Sequence, residues 1–264
     1  MISRRVVEYG ASQLGVSLSA DDTANIQSAK DSLIQQAGGQ DAFNAYLQEN
    51  YLTDSLYDYL VSTGYLANDC FTNLYGQDGA NLADSDVADY TASDGYLMAE
   101  HILILTSTQN SDGTLTPMSD ADQAAAYAQI TAILQQLNSY TGDNLPGYFS
   151  TLMDQYSQDT GLSSYPNGYL FLPQDMMSQF SDATKALQIG QYSDIVKSDY
   201  GYHIILRLPI DYDAIPVEYA SQGYSLRYLT AMQMFDSVAS TWQDAMTVTY
   251  SDMYNALNLA ALFS

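Results

Sequence analysis

The two histidines of this chain lie in short apolar runs, Ala99-Glu100-His101-Ile102-Leu103-Ile104-Leu105 and Tyr202-His203-Ile204-Ile205-Leu206-Arg207. Side chains alternate across a strand with period two, so His101 shares a face with Leu103 and Leu105, and His203 with Ile205. Both histidines are therefore expected inside a sheet. The runs bracket about a hundred residues whose pattern is mostly helical. After the first run, Thr106 to Thr116 reads as a polar loop, and Ser119 begins a long helix through Ile130, Ile133 and Leu134. Pro146 starts another helix, through Phe149 and Leu152. A turn at Tyr165-Pro166-Asn167-Gly168 precedes a short apolar segment. Pro173 opens a helix carrying Met176, Met177, Phe180, Ala183 and Leu187, which Gly190 closes. Ile195-Val196 is a brief strand ahead of the second histidine run, and this order of elements reads as α+β.

The flanks read as helical. Asp21-Asp22 caps a helix through Ile26, Ala29, Leu33 and Ile34 that stops at Gly38-Gly39. A second helix starts at Asp41, a third spans about Thr53 to Val61, and a fourth covers about Asn68 to Leu74, with Cys70 near its start. Gly76 to Asp94 is polar and loop-like. Beyond the second histidine run, Pro209 and Pro216 mark an exit. The tail carries a helix from about Ser225 to Trp242, a strand at Thr247-Val248-Thr249 and a last helix from Asp252 to Leu262. Neither flank is long enough to build a large core alone. The economical arrangement has residues 95–212 inserted between helical segments 1–94 and 213–264, which pack together.

Composition narrows the function classes. Seven Lys and Arg stand against thirty-one Asp and Glu, for a formal charge of −24. Such a surface repels nucleic acid and anionic membranes, so no nucleic-acid partner is expected. It would attract basic unfolded polypeptide, although solubility alone also accounts for it. The lone Cys70 has no disulfide partner within the chain and reads as a small buried apolar residue. No stretch approaches the roughly eighteen apolar residues of a membrane helix. Met1-Ile2-Ser3-Arg4-Arg5 lacks an apolar signal region and reads as the middle of a helix. We therefore expect an export signal or lipid-attachment cysteine to have been trimmed from a precursor. No Gly-rich phosphate loop, Ser-His-Asp signature or CxxC pair is present to support a nucleotide enzyme, hydrolase or redox protein.

Ala-Glu-His-Ile-Leu at 99–103, Tyr-Ser-Gln-Asp at 156–159, Phe171, Met176, Phe180-Ser-Asp-Ala183, Leu-Gln-Ile-Gly-Gln at 187–191 and Gly-Tyr-His-Ile-Ile at 201–205 occur in order. Together they resemble the parvulin-type peptidyl-prolyl isomerases over about residues 97–208. The helical flanks more loosely resemble the extracytoplasmic foldases called PrsA and their SurA-like relatives, in which helices around such a domain hold non-native clients. The resemblance implies a four-stranded antiparallel or mixed sheet surrounded by helices, set beside a chaperone-like helical region. It implies His101 and His203 side by side beneath a proline pocket, with Asp159 where other parvulins carry cysteine or aspartate. Met176 and Phe180, one helical turn apart, would line the proline-binding wall, with Ser198 at the rim. The family's Gly-Asp-Leu-Gly approach is replaced by Asn167-Gly168-Tyr169-Leu170. Unfolded polypeptides with X-Pro bonds are the implied partners, with no cofactor and no metal. A homodimer is neither required nor excluded, and the implied location is extracytoplasmic, as a lipoprotein.

Two rivals stand beside this reading. One is a holdase whose domain binds extended peptide without catalysis. The other is a metal site made by His101, His203 and Asp159, since two histidines and a carboxylate suit zinc or iron.

Overall fold

The computed structural model describes residues 2–247 and 249, and the chain divides into two compact units. The first takes in residues up to Leu82 and those from Ala231 onward; the second is Ala83–Thr230. Among the described residues no helix is long and apolar enough to cross a membrane.

The first unit is helical. It contains α1 (Ile2–Leu14), α2 (Ala20–Ala37), α3 (Gln40–Glu49) and α4 (Asp54–Tyr75), together with the residues of α9 (Leu226–Asp244) from Ala231 on. The cap of α2 is Ser19 rather than the aspartates after it: its Oγ accepts from the Asp22 N–H at 3.0 Å, and the Asp22 carboxylate accepts from the Ser19 N–H at 2.8 Å. That reciprocal pair is a capping box. Gly38, at φ 98°, takes the left-handed conformation that ends the helix. Lys30 reaches from α2 to both Asp54 and Asp58, at 2.8 Å each, so its buried ammonium is paired with two carboxylates. Val6, Ala11, Cys70 and Trp242 form the core, with Phe235 and Leu74 packed against them.

The helices expected at 53–61 and 68–74 are one helix, α4. Gly64 lies between them without breaking the chain. It costs about 1 kcal/mol relative to alanine, which the packing of α4 against α1, α2 and α3 offsets. Cys70 consequently lies deep inside a helix, not at its start, and is fully buried. The expected strand at 247–249 falls partly, and the helix at 252–262 wholly, outside the described residues.

The second unit is built on an antiparallel sheet in the order β4 (Tyr169–Phe171), β1 (Leu97–Leu105), β6 (Gly201–Leu208) and β5 (Val196–Lys197). One face carries Ile102, Ile104, Ile204 and Leu206. These pack against Ile130, Ile133 and Leu137 of α6 (Asp120–Ser139) and Phe149, Leu152 and Met153 of α7 (Leu145–Tyr156). The other face carries Leu97, Ala99, Phe171 and Ile205 under Phe180 of α8 (Ser178–Ala186). A sheet covered on both sides reads as near-continuous apolar strands, which is why the histidine runs look as they do.

Three local expectations change. Thr106 to Thr116 holds a hairpin, β2 (Ser107–Gln109) with β3 (Leu115–Pro117), closed by a turn around Gly113 at φ 84°. Polar composition had disguised it. Gly76 to Asp94 contains α5 (Asp84–Thr91), anchored by fully buried Val87. Pro173 opens only a 3-10 turn, Pro173–Asp175; Met176 is extended (φ −118°, ψ 163°) and α8 begins at Ser178. Met176 and Phe180 are therefore not one helical turn apart on a shared helix.

Candidate active site

The antiparallel register sets His101 opposite Ile205 and Leu103 opposite His203. The two imidazoles thus sit diagonally on one face of the sheet, a spacing that long or aromatic side chains span. Their Nδ1 atoms are 3.0 Å apart and the rings are nearly parallel, at 12°. His101 Nε2 lies 2.9 Å from Asp159 Oδ2, and His203 Nε2 lies 2.7 Å from Ser198 Oγ. Ser198, expected at the pocket rim, is a direct partner of His203. Its hydroxyl oxygen also accepts from the Tyr200 N–H at 3.2 Å.

Asp159 reaches His101 because of an unused strand edge. β4 pairs only with the 97–99 end of β1, and farther along Ser157 and Gln158 take its place. The Leu103 N–H donates to Ser157 Oγ at 3.1 Å, the Gln158 N–H donates to the Leu103 carbonyl at 2.8 Å, and the Leu105 N–H donates to Gln158 Oε1 at 2.8 Å. Asp159 is the next residue. Its Oδ1 accepts the Gly161 N–H at 3.0 Å, and its Oδ2 accepts the Tyr169 hydroxyl at 2.5 Å.

These contacts set the charge state. Burial alone would push the Asp159 carboxyl up, but the hydrogen bonds from His101, Tyr169 and Gly161 outweigh it and hold the group at about 2. It is a carboxylate at neutral pH. Burial, and then the neighbouring His101, lower His203 to about 3, so its ring is neutral. The ionised Asp159 carboxylate can only accept, so His101 Nε2 donates to it, and in the arrangement with a single proton on each ring the rest of the chain is ordered. His101 Nδ1 then accepts from His203 Nδ1, and His203 Nε2 accepts from the Ser198 hydroxyl. Every donor in the chain points toward Asp159.

Above the rings lies a pocket of about 320 Å³, lined by His101, Leu103, Gln109, Asp159, Tyr169, Met176, Met177, Phe180, Ser198, Tyr200 and His203, among others. Phe180 stands edge-on to both imidazoles, with ring centroids 5.1 Å from His101 and 5.8 Å from His203. All six residues singled out from sequence therefore meet at one place. Tyr169, Gln109 and Tyr200 were not singled out. Tyr169 carried a signal: two residues before Phe171 on a strand, it shares that residue's face.

The nitrogens answer the metal alternative. Both Nδ1 atoms are spent on each other, and the two Nε2 atoms point to different partners, Asp159 and Ser198. The donors diverge, whereas a metal site needs them to converge on a point. Among the described residues no group of three His, Cys, Asp or Glu side chains could hold a metal ion.

Comparison with known proteins places these residues in context. Residues 101–208 match the family model for the PPIC-type PPIase (rotamase) domain. A foldase protein PrsA of a Geobacillus strain is 53% identical over 60 residues, covering 22% of this chain; at this match the chain spans only 21% of that relative's length. Foldase protein PrsA 4 of Bacillus cereus is 26% identical over 229 residues, 77% of this chain and 78% of that one. Among solved structures, a PrsA peptidylprolyl isomerase from Bacillus anthracis is 22% identical, with 96% of this chain and 98% of that one covered at a TM-score of 0.33.

Proposed function

We propose, on the match of residues 101–208 to the PPIC-type PPIase domain and the likeness to PrsA foldases, that this chain is a parvulin-type peptidyl-prolyl isomerase acting on X-Pro bonds in unfolded, exported polypeptides. The observation that carries the proposal is the pocket: an apolar hollow whose floor is two mutually bonded imidazoles and a carboxylate. The chemistry asked of it is modest. An X-Pro bond turns over in tens to hundreds of seconds because its barrier is about 18–20 kcal/mol. A typical turnover of about 10 per second needs roughly a thousandfold acceleration, or about 4 kcal/mol. Gripping the pyrrolidine ring between Phe180 and Met176, and favouring the twisted amide over the planar one with fixed dipoles, is enough. In this reading His101, His203 and Ser198 orient one another and Asp159 sets the field at the rotating carbonyl. None attacks the substrate.

The helical unit is proposed to hold non-native clients, and the place of work is proposed to be outside the cytoplasm, as for the foldases the chain resembles. Wild type and His203→Ala in a protease-coupled proline isomerisation assay test the reading. Wild type is expected to accelerate the slow phase and His203→Ala to lose most of that rate. A pure holdase shows no rate to lose, and that result would replace isomerisation with peptide binding alone.

Selectivity follows from the lining. None of the side chains around the pocket is Lys or Arg, and phosphate recognition wants one or the other. A phosphoserine-proline peptide is therefore expected to turn over no faster than its unmodified form in NMR exchange measurements. A strong preference for the phosphorylated peptide would contradict the proposed substrate class.

A further inference from the structure

The Asp159 carboxylate is shared by more partners than orienting His101 requires. Oδ2 receives two donors, His101 Nε2 at 2.9 Å and the Tyr169 hydroxyl at 2.5 Å, while Oδ1 receives the Gly161 N–H. The phenol is held in place independently. Tyr169 is paired in β4 opposite Ala99, its ring stands edge-on to His101 at 5.7 Å, and Tyr165 packs against it with ring centroids 4.6 Å apart. Room for the hydroxyl depends on residue 161 being glycine: a Cβ there would sit 2.1 Å from the phenol oxygen. Two positions outside the histidine strands are thus matched to bring one O–H onto one carboxylate oxygen.

We propose that Tyr169 is a positioning residue for the isomerase, acting through Asp159: its hydroxyl fixes the carboxylate against His101 and so keeps the imidazole pair aimed at the rotating amide. This rests on the isomerase reading above and deepens it. Donors to a charged acceptor are the stronger hydrogen bonds, and a fixed acceptor costs no reorganisation when the amide twists. Tyr169→Phe keeps the ring and its aromatic contacts while removing the donor.

The test is a cycle of wild type, Tyr169→Phe, Asp159→Asn and the double variant, measured for isomerisation and for peptide binding. Tyr169→Phe is expected to lower kcat about five- to tenfold, with KM within about twofold because the pocket walls remain. In the Asp159→Asn background the same change is expected to cost less than about twofold, since the carboxylate it acts through is gone. Equal losses in both backgrounds, or a wild-type rate in Tyr169→Phe, would overturn the proposal. A second readout needs no activity: the Asp159 carboxyl carbon is followed by NMR as pH falls. The groups facing it are His101 from β1, Tyr169 from β4, His203 from β6 and Tyr165, and only the Tyr169 hydroxyl differs between the two proteins. The inflection is expected at higher pH in Tyr169→Phe, and an unmoved inflection overturns the positioning role. An inactive wild type whose Asp159 inflection still moves on substitution would defeat the isomerase reading and leave the Tyr169–Asp159 coupling standing.

Discussion

Replacing His101 by alanine is expected to lower kcat/KM by about a hundredfold or more, most of the acceleration the site has to supply. His101 is the link between the two ends of the polar chain, with Nδ1 toward His203 and Nε2 toward Asp159. Without it the carboxylate loses its imidazole donor and His203 Nδ1–H loses its acceptor, both in a largely buried setting. Leaving such groups unsatisfied costs about 1–3 kcal/mol of stability, so denaturant unfolding is expected to report that loss in parallel. Proline-peptide binding should suffer less, because Phe180 and Met176 still form the walls. The decisive pattern is therefore a collapse in turnover with affinity largely kept. A folded His101→Ala protein retaining more than about a third of wild-type kcat/KM would show that the imidazole pair is not needed.

Gly201→Ala is expected to destabilise the protein strongly. A Cβ at residue 201 would lie 2.1 Å from the Ile104 carbonyl oxygen and 2.9 Å from the Leu105 Cα, both backbone atoms. A flexible side chain could rotate aside; a paired strand cannot. Overpacking a well-packed site typically costs about 1–3 kcal/mol, and here relief requires opening the Leu105–Gly201 end of the β1–β6 ladder. We expect about 3 kcal/mol or more, which for a chain of this size lowers Tm by roughly 6–12 °C. The Gly201 carbonyl also accepts the Ser198 N–H at 2.9 Å, so the same change should displace the hydroxyl that donates to His203. A Tm within about 2 °C of wild type would mean that the strands separate more easily than their packing indicates.

Period-two alternation around His101 and His203 was enough to put both residues in a sheet and on faces shared with Leu103 and Ile205. What alternation could not supply was the pairing of strands about a hundred residues apart, and hence the diagonal meeting of the rings. Asp159 was legible only through resemblance, because its placement depends on Ser157 and Gln158 occupying a vacant strand edge, a tertiary event with no local pattern. Met176 illustrates the reverse. The proline before it suggested an unbroken helix, yet the chain makes one 3-10 turn, extends, and only then turns helical, still delivering Met176 to the same hollow as Phe180. The segment between Val61 and Asn68 misled in the opposite sense, being left between two expected helices where side-chain packing carries one helix through. Tyr169 escaped notice because its importance lies in an oxygen 2.5 Å from a carboxylate, a distance that composition does not encode.

The far face of the sheet has a bearing on the chemistry it never touches. Ile102, Ile104, Ile204 and Leu206 are buried beneath α6 and α7, and full burial of such side chains contributes about 1.5–3 kcal/mol each. Sliding β6 by one residue would move Ile204 and Leu206 to the α8 face and swing His203 beneath α6 and α7, away from its twin. Grease on the blind side of the molecule is therefore what aims the imidazoles, and inserting a single residue between Gly201 and His203 would disarm the site without altering any group that meets substrate.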